Sequence, residues 1–315
     1  MSNFYRKAVR YSLALLAVIT LNFIIPRLMP GDPVINLLGE DLSLSHVQVE
    51  EIRAEFGLDK PLLLQYAGYL RNLLRGDFGY SYHYNQSVAR LISKRIGWTL
   101  LLILPSIIIG AVCGALLGAR WGWRSEKRGS RFGTSVFLIF YSIPPFFLAM
   151  VLLYIFSFRL GWFPLKGYYS DGSIIDILRH LVLPVAVLSL FSMARNIMII
   201  RGSVIQEKGN LYVVYARAKG LTRSAVLRRH VFRNASLPLI TVVALDFGFL
   251  FSGALFVEMV FSMNGMGTLL YDALKILDYP VLQGAFLIIA CMIILANMTA
   301  DILYALIDPR LRNEP

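Results

Sequence analysis

Charge is scarce in this chain. Only 16% of its 315 residues are Asp, Glu, Lys or Arg, against 57% hydrophobic residues and a mean hydropathy of +0.62. A soluble domain of this length needs more charged surface, so composition argues against an ordinary globular enzyme and points to a polytopic membrane protein. Cysteine is nearly absent. Cys113 and Cys291 both lie inside apolar runs, where they read as small packing residues and not as a disulfide or a metal site. Histidine is equally sparse: His46, His83, His180 and His230 are scattered without metal-ligand spacing. No G-x-x-x-x-G-K-[ST] run occurs, so the chain supplies no phosphate-binding loop of its own. If ATP drives it, a partner subunit must bind the ATP and Mg and hydrolyse the nucleotide. No cofactor, internal repeat, low-complexity tract or second soluble domain is expected.

Acidic residues are also in deficit, 19 against 31 Lys and Arg, for a net charge of +12. The deficit is local. From Lys208 to Arg233 there are seven Lys or Arg and no acid. In a soluble protein such a balance would suggest nucleic acid. Here apolar segments flank it, and the excess of cations in cytoplasmic loops of membrane proteins is the better explanation. No nucleic-acid partner is expected.

What the chain does contain is apolar runs. Arg6, Lys7 and Arg10 precede an uncharged stretch from Tyr11 to Pro26, which predicts an uncleaved first transmembrane helix with its N-terminus in the cytoplasm. Residues 30–97 form a polar excursion that this topology places outside. Within it, Ser45 and Gln48 form a capping box for a helix stopping at Gly57, and Asp59 and Pro61 open a second helix ending at Gly76. The second span, Ile96 to Ala119, has 24 residues without a charge, and Gly110, Gly114 and Gly118 leave one face nearly bare for close helix contact.

The third span, Phe132 to Phe158, has 27 uncharged residues with Pro144-Pro145 in the middle, which predicts a kink. Freed carbonyls at such a kink are tolerated where neighbours or a watery cavity satisfy them, so it is a candidate for lining a pathway. A fourth span runs from about His180 to Arg201, a fifth from about Ser236 to Phe261, and a last from about Tyr279 to Ile307. Six spans put both termini inside, and inside segments then hold 19 of the 31 Lys and Arg. The expected architecture is all-α and polytopic. It divides into residues 1–29 (tail and first span), 30–97 (external helical segment) and 98–315 (a five-helix core), with the basic loop at about 202–235.

Ionisable groups in mid-membrane are costly and invite a functional explanation. Asp246 lies about ten residues into its helix, or roughly 15 Å, near the bilayer centre. One reading has it face a conduit and meet a cationic part of a substrate; the other has it protonated or hydrogen-bonded in a helix interface. On the first reading, Asp246→Asn leaves assembly intact and lowers transport. Glu258 falls near the outer end of the same span, and Asn297 and Asp301 share a face of the last. An ion-coupled secondary transporter using Asp246 and Asp301 is an alternative, which would need inverted repeats and broken midplane helices.

The basic loop has a specific layout. Ala216, Arg217 and Ala218 favour helix, Gly220 can take positive φ and end it, and Thr222 can cap a second helix. The expectation is two short helices bent around a glycine, basic outside, shaped to dock into a groove on a partner. The spelling Ala216-Arg-Ala-Lys-Gly220-Leu, then Arg229-His230, Arg233-Asn234-Ala235 and Leu237-Pro238, closely resembles the EAA-type coupling loop of ATP-binding-cassette importer permeases. The version resembled is that of the dipeptide/oligopeptide/nickel permease family.

Further likeness lies in Gly57-Leu-Asp-Lys-Pro61-Leu, Gly76-Asp-Phe-Gly-Tyr-Ser81, Gly161-Trp-Phe-Pro164, His180-Leu-Val-Leu-Pro184, the stretch from Gly253 to Phe261, Asp278-Tyr-Pro-Val-Leu-Gln-Gly284 and the Asn297…Asp301…Asp308-Pro-Arg ending. The resemblance implies a type I importer permease fold in the inner membrane. The expected partners are a sibling permease, two ATPases, an extracytoplasmic binding protein that delivers short peptides, nickel or another chelate, and the lipid bilayer. It implies ATPase coupling through Tyr215, Ala216, Arg217, Ala218, Lys219, Gly220, Leu221, Arg229, His230, Arg233 and Asn234. The candidate pathway residues are Asp246, Pro144, Pro145 and Glu258. Two departures stand out: Met263-Asn-Gly-Met-Gly267 replaces the family's Trp-Pro-Gly-Leu-Gly, and Leu211 and Val214 replace an acid and an arginine.

Overall fold

The computed structural model describes residues 2–28 and 59–307. The helix expected between Ser45 and Gly57 lies outside the described residues. In chain order the elements are α1 (Ser2–Leu28), α2 (Leu62–Leu74), a short hairpin β1 (Tyr80–Ser81) and β2 (Gln86–Ser87), α3 (Val88–Trp123), α4 (Arg128–Ser142) and α5 (Pro145–Leu152), the last continuing as a π-helix to Arg159. Then come α6 (Ile174–Lys208), α7 (Leu211–Ala218), α8 (Arg223–Ala235), α9 (Leu237–Val260), α10 (Met266–Lys275) and α11 (Tyr279–Ile307). Among the described residues α3, α6 and α11 are long and apolar enough to cross a bilayer, and the bent pairs α4–α5 and α8–α9 bring the count to five if each is one span. α1 carries a shorter apolar stretch, Val9–Ile25.

The described residues form two compact units, one of 2–28 and 59–98 with 264–294, the other of 99–263 with 295–307. The first unit gathers chain segments that are far apart in sequence. Its core joins Val88, Leu91 and Ile92 of α3 to Leu269 and Ala273 of α10 and to Val281, Leu282 and Ala285 of α11. α11 fits closely because Gly284 lies against Val88; a Cβ there would sit 2.5 Å from a Val88 methyl. Asn22 of α1 donates to the Gln283 carbonyl (2.6 Å), and the Gln283 amide donates back to the Asn22 carbonyl (3.0 Å), so a reciprocal pair fixes α1 to α11. Asp278 caps α11, accepting from the Val281 N–H (3.3 Å) and from the buried Ser81 hydroxyl of the hairpin. Burial pushes the Asp278 carboxyl above the usual carboxylate range.

The second unit is built on the glycine face of α3. Gly110, Gly114, Gly118 and Gly122 follow at four-residue intervals and α6 lies directly on them. A Cβ at Gly110 would come 2.5 Å from the Ser192 Oγ, one at Gly114 2.5 Å from the Asn196 Cβ, and one at Gly122 2.8 Å from the Arg201 carbonyl. The expected close helix contact is present, and it extends one turn beyond the predicted end of that span.

The double proline does more than kink a helix. α4 and α5 meet at a bend of 100°. Ile143 and Pro144 each precede a proline, and a residue in that position is driven from the α region by the following ring. Both are extended, with ψ 127° and 136°. Pro145 then begins a new helix at the position where its missing N–H costs nothing. The expected single kinked span is therefore two helices joined by an extended corner. The fourth span is also longer than expected, starting at Ser173, whose side chain accepts the Asp176 N–H as a cap (3.2 Å), and running on to Lys208.

Candidate functional site

The basic segment folds as its residues predict, one turn at a time. α7 ends at Ala218, Gly220 takes φ +80°, and its N–H donates to the Arg217 carbonyl at 2.9 Å. The Thr222 hydroxyl then caps α8 by accepting the Ala225 N–H (3.4 Å). A dry cluster seats this helix–glycine–helix unit on the ends of the long helices: Val213 and Ala216 of α7 and Val226, Val231 and Ala235 of α8 pack with Ala119 and Trp123 of α3 and Ile200 and Val204 of α6. Tyr212 donates to the Glu207 carboxylate and accepts from the Asn234 amide (3.3 Å), closing the far side. Burial and the Glu207 carboxylate together raise the Tyr212 phenol above its ordinary range.

Of the sequence-predicted residues here, only Ala216 is buried, whereas Arg217, Ala218, Lys219, Gly220, Arg229, His230, Arg233 and Asn234 are exposed. Besides the exposed Arg217, the outward face of α7 carries apolar side chains. Leu211 (73% exposed), Val214 (56%) and Tyr215 (67%) stand at i, i+3 and i+4, with Leu221 exposed beyond the glycine. The hydrophobic cluster beneath consumes Val213 and Ala216, so the remaining apolar side chains of the helix have only solvent to face.

The second arrangement lies between α6 and α9. Asp246 is 1% exposed and forms an ion pair with Arg195. Its other carboxylate oxygen accepts from the Ser192 hydroxyl (2.6 Å) and the Asn196 amide (3.3 Å), and Asn196 also donates to Ser192 (3.2 Å). Arg195 reaches the Val242 carbonyl as well, at 3.4 Å. Three residues of α6 thus satisfy one buried carboxylate of α9, the geometry of a helix interface. Charge in apolar surroundings is tolerable when paired and hydrogen-bonded in this way. Ser192 and Asn196 are also the residues against which the α3 glycines press. Arg195 falls within the fourth predicted span and Asp246 within the fifth, and no local pattern joins them; Ser192 and Asn196 carry no signal of their own.

Glu258 is fully buried near the end of α9, where it accepts from the Thr99 hydroxyl at 2.6 Å. Pro144 and Pro145 form the α4–α5 corner. α5 packs against α9, with Phe146 and Phe256 rings 6.1 Å apart, while Tyr141 before the corner stacks on Phe191 of α6 at 5.0 Å. Pro145 has no N–H to offer the Tyr141 carbonyl.

Long apolar helices, a bent helix pair and an acid-free segment folded onto the helix ends mark a multi-pass membrane protein. Comparison with known proteins narrows this class. Residues 106–313 match the family described as binding-protein-dependent transport system inner membrane component, and residues 1–103 match the N-terminal part of the membrane component of such systems. The chain belongs to this family, the membrane permease subunits of ATP-driven importers, in which separate subunits hydrolyse the ATP. Relatives include a putative peptide permease of Brucella ovis, 38% identical over 302 residues with 95% of each chain covered. The dipeptide transport system permease protein DppB of Escherichia coli is 34% identical, again with 95% of each covered. In fold, the chain is similar to the inward-facing MetNI methionine transporter, with TM-score 0.57 and 16% identity, over 69% of this chain and 96% of that one.

Proposed function

We propose that this permease forms half of a translocation pathway for short peptides, handed over by an extracytoplasmic binding protein, and that residues 202–235 couple it to an ATPase. The observation carrying the coupling role is the outward stripe of Leu211, Val214 and Tyr215 on an acid-free segment whose inner side is seated on the span ends. An exposed apolar stripe rimmed by polar residues is what a docking surface requires. Arg217, Lys219, Arg229, His230, Arg233 and Asn234 are exposed polar residues of the same segment. Force on α7 and α8 would pass through Val213, Val226 and Val231 to α3 and α6, and through the 52° junction to α9. Peptide cargo is supported by the relatives that cover nearly the whole chain and carry peptide or dipeptide in their names.

The proposed topology counts α1 as a sixth span, with both termini cytoplasmic and residues 30–97 outside. It is supported by the placing of Arg120, Arg124, Lys127, Arg128 and Arg131 between α3 and α4 and of the basic segment between α6 and α9. The partners are a sibling permease and two ATPases that bind ATP and Mg. Within the subunit, the α4–α5 corner borders the pathway, and the Asp246 and Glu258 clusters hold the helices that shape it. Uptake of a labelled dipeptide in a strain lacking this chain tests the cargo. Loss of uptake, restored by the wild-type chain, is expected; unchanged peptide uptake with lost nickel accumulation would overturn it.

A further inference from the structure

At the inner end of α3 lies a cleft of about 590 Å³, whose walls carry Arg120, Arg124, Lys127, Lys208, Arg217 and Arg223. Glu126 is the one acid in the lining, and it is engaged by Lys208 at 3.5 Å. The Arg217 guanidinium lies over the Trp123 ring, 4.9 Å from its centre. Arg120, Arg124, Lys127 and Arg223 have no acidic partner among the described residues. These cations are solvent-exposed, with Lys208 half-buried, so their mutual repulsion is screened but not abolished, and an anion held between them relieves it.

Depth and size narrow the anion. Arg120 is the first charge after the 24 uncharged residues Ile96 to Ala119, and Trp121 and Trp123 follow at once. That order marks the apolar–polar boundary of a bilayer, where indoles sit at headgroup level. The volume suits a multi-atom ligand and exceeds the needs of a single monatomic ion. Arginine forks match phosphate oxygens bidentately, and basic pockets at the inner ends of spanning helices suit phospholipid headgroups.

We propose that this cleft binds a phosphate-bearing anion, the headgroup of an anionic phospholipid of the inner leaflet. The ligand would bridge α3, the 124–127 turn, the end of α6 and the α7–α8 segment, so that lipid steadies the segment against the spans. The proposal rests on the inward orientation of the basic segment given above.

The test uses the assembled transporter in discs of phosphatidylcholine alone or of an equal mixture with phosphatidylglycerol, with native mass spectrometry of the phospholipid retained on the permease. Each cation near an anionic surface contributes about a fivefold factor in affinity, so Arg120→Gln with Arg124→Gln predicts roughly a 25-fold loss of retained phosphatidylglycerol. Lys127→Gln, on an exposed turn where folding is not at stake, predicts about a fivefold loss. Arg128→Gln, outside the cleft, predicts none. Labelled inorganic phosphate, bound by wild type and not by the double variant while no lipid is retained, would keep the phosphate site and assign it to a solute. No difference between wild type and the cleft variants for either probe overturns the site, as does cross-linking that finds the cleft filled by an acidic ATPase segment. Dipeptide uptake is followed in parallel: normal uptake with failed anion binding sinks the cleft site and leaves the transport reading standing.

Discussion

Arg195 and Asp246, 51 positions apart in the chain, form a buried ion pair that joins α6 to α9. Removing one partner of such a pair leaves an uncompensated charge and costs about 3–5 kcal/mol, whereas neutralising both costs far less. Asp246→Asn therefore strands Arg195 and is expected to lower the thermal stability of the purified subunit. Arg195→Gln combined with Asp246→Asn keeps amide hydrogen bonding to Ser192 and Asn196 and recovers most of the loss. Melting curves of the three variants check this. Uptake should recover with stability in the double variant; recovery of stability without uptake would return Asp246 to direct contact with cargo.

The pair shows where the sequence was legible and where it was not. Gly110, Gly114 and Gly118 announce a bare face because helical periodicity is local. What lies on that face, Ser192 and Asn196, depends on tertiary packing, and a serine or asparagine in an apolar run has the same appearance whether it packs, caps or binds. Gly220 and Thr222 were readable because positive φ and helix capping are chemistry of single residues. Pro144-Pro145 was readable as a break, yet the size of the turn follows from Ile143 and Pro144 both being forced extended. The return of residues 264–294 to the N-terminal unit is a long-range contact that no local pattern encodes. The outward stripe of α7 was missed for a related reason. Leu211 and Val214 read as departures from a family pattern until Val213 and Ala216 were seen to occupy the core side.

The glycine face makes a size prediction. Gly114→Ala places a methyl 2.5 Å from the Asn196 Cβ, and backbone lies close behind it. Overpacking of this kind costs typically about 1–3 kcal/mol. Because Asn196 is displaced, the Asp246 cluster is disturbed with it. Gly68→Ala in α2, with nothing within 4 Å of the added methyl, serves as the control and gains helix propensity. Expression and melting temperature of the two variants should move in opposite directions.

Asp278 predicts a pH dependence. Burial raises its carboxyl above the ordinary value near 4. A group that holds its proton more tightly in the folded state contributes stability that is fully present below the unfolded pKa and is lost as pH rises through the folded one. Melting temperature should therefore fall as pH climbs above the ordinary carboxylate range. Asp278→Asn keeps an α11 cap and loses that part of the slope. A wild-type curve that rises over the same interval, with the variant parallel to it, would contradict the assignment.

Gly220 separates backbone geometry from surface contact in the basic segment. Its φ of +80° lies where a side chain is strained, yet nothing stands within 4 Å of an added Cβ, so any effect of Gly220→Ala comes from the backbone alone. The cost is about 1 kcal/mol or somewhat more, too little to unfold a unit held by the Val213, Val226 and Val231 cluster. The corner between α7 and α8 would open, shifting the stripe of Leu211, Val214 and Tyr215 relative to the arginines of α8. The expected outcome is a transporter that assembles and melts close to wild type but hydrolyses ATP with reduced coupling to uptake. Gly220→Asn, which tolerates positive φ better, should be milder. Tyr215→Ala acts on the other side of the problem. It leaves the corner intact, removes exposed apolar surface, and should weaken retention of the ATPase in pull-downs by roughly tenfold if its ring is a buried anchor in the complex. Wild-type retention and coupling in both Gly220→Ala and Tyr215→Ala would remove this segment from the ATPase interface.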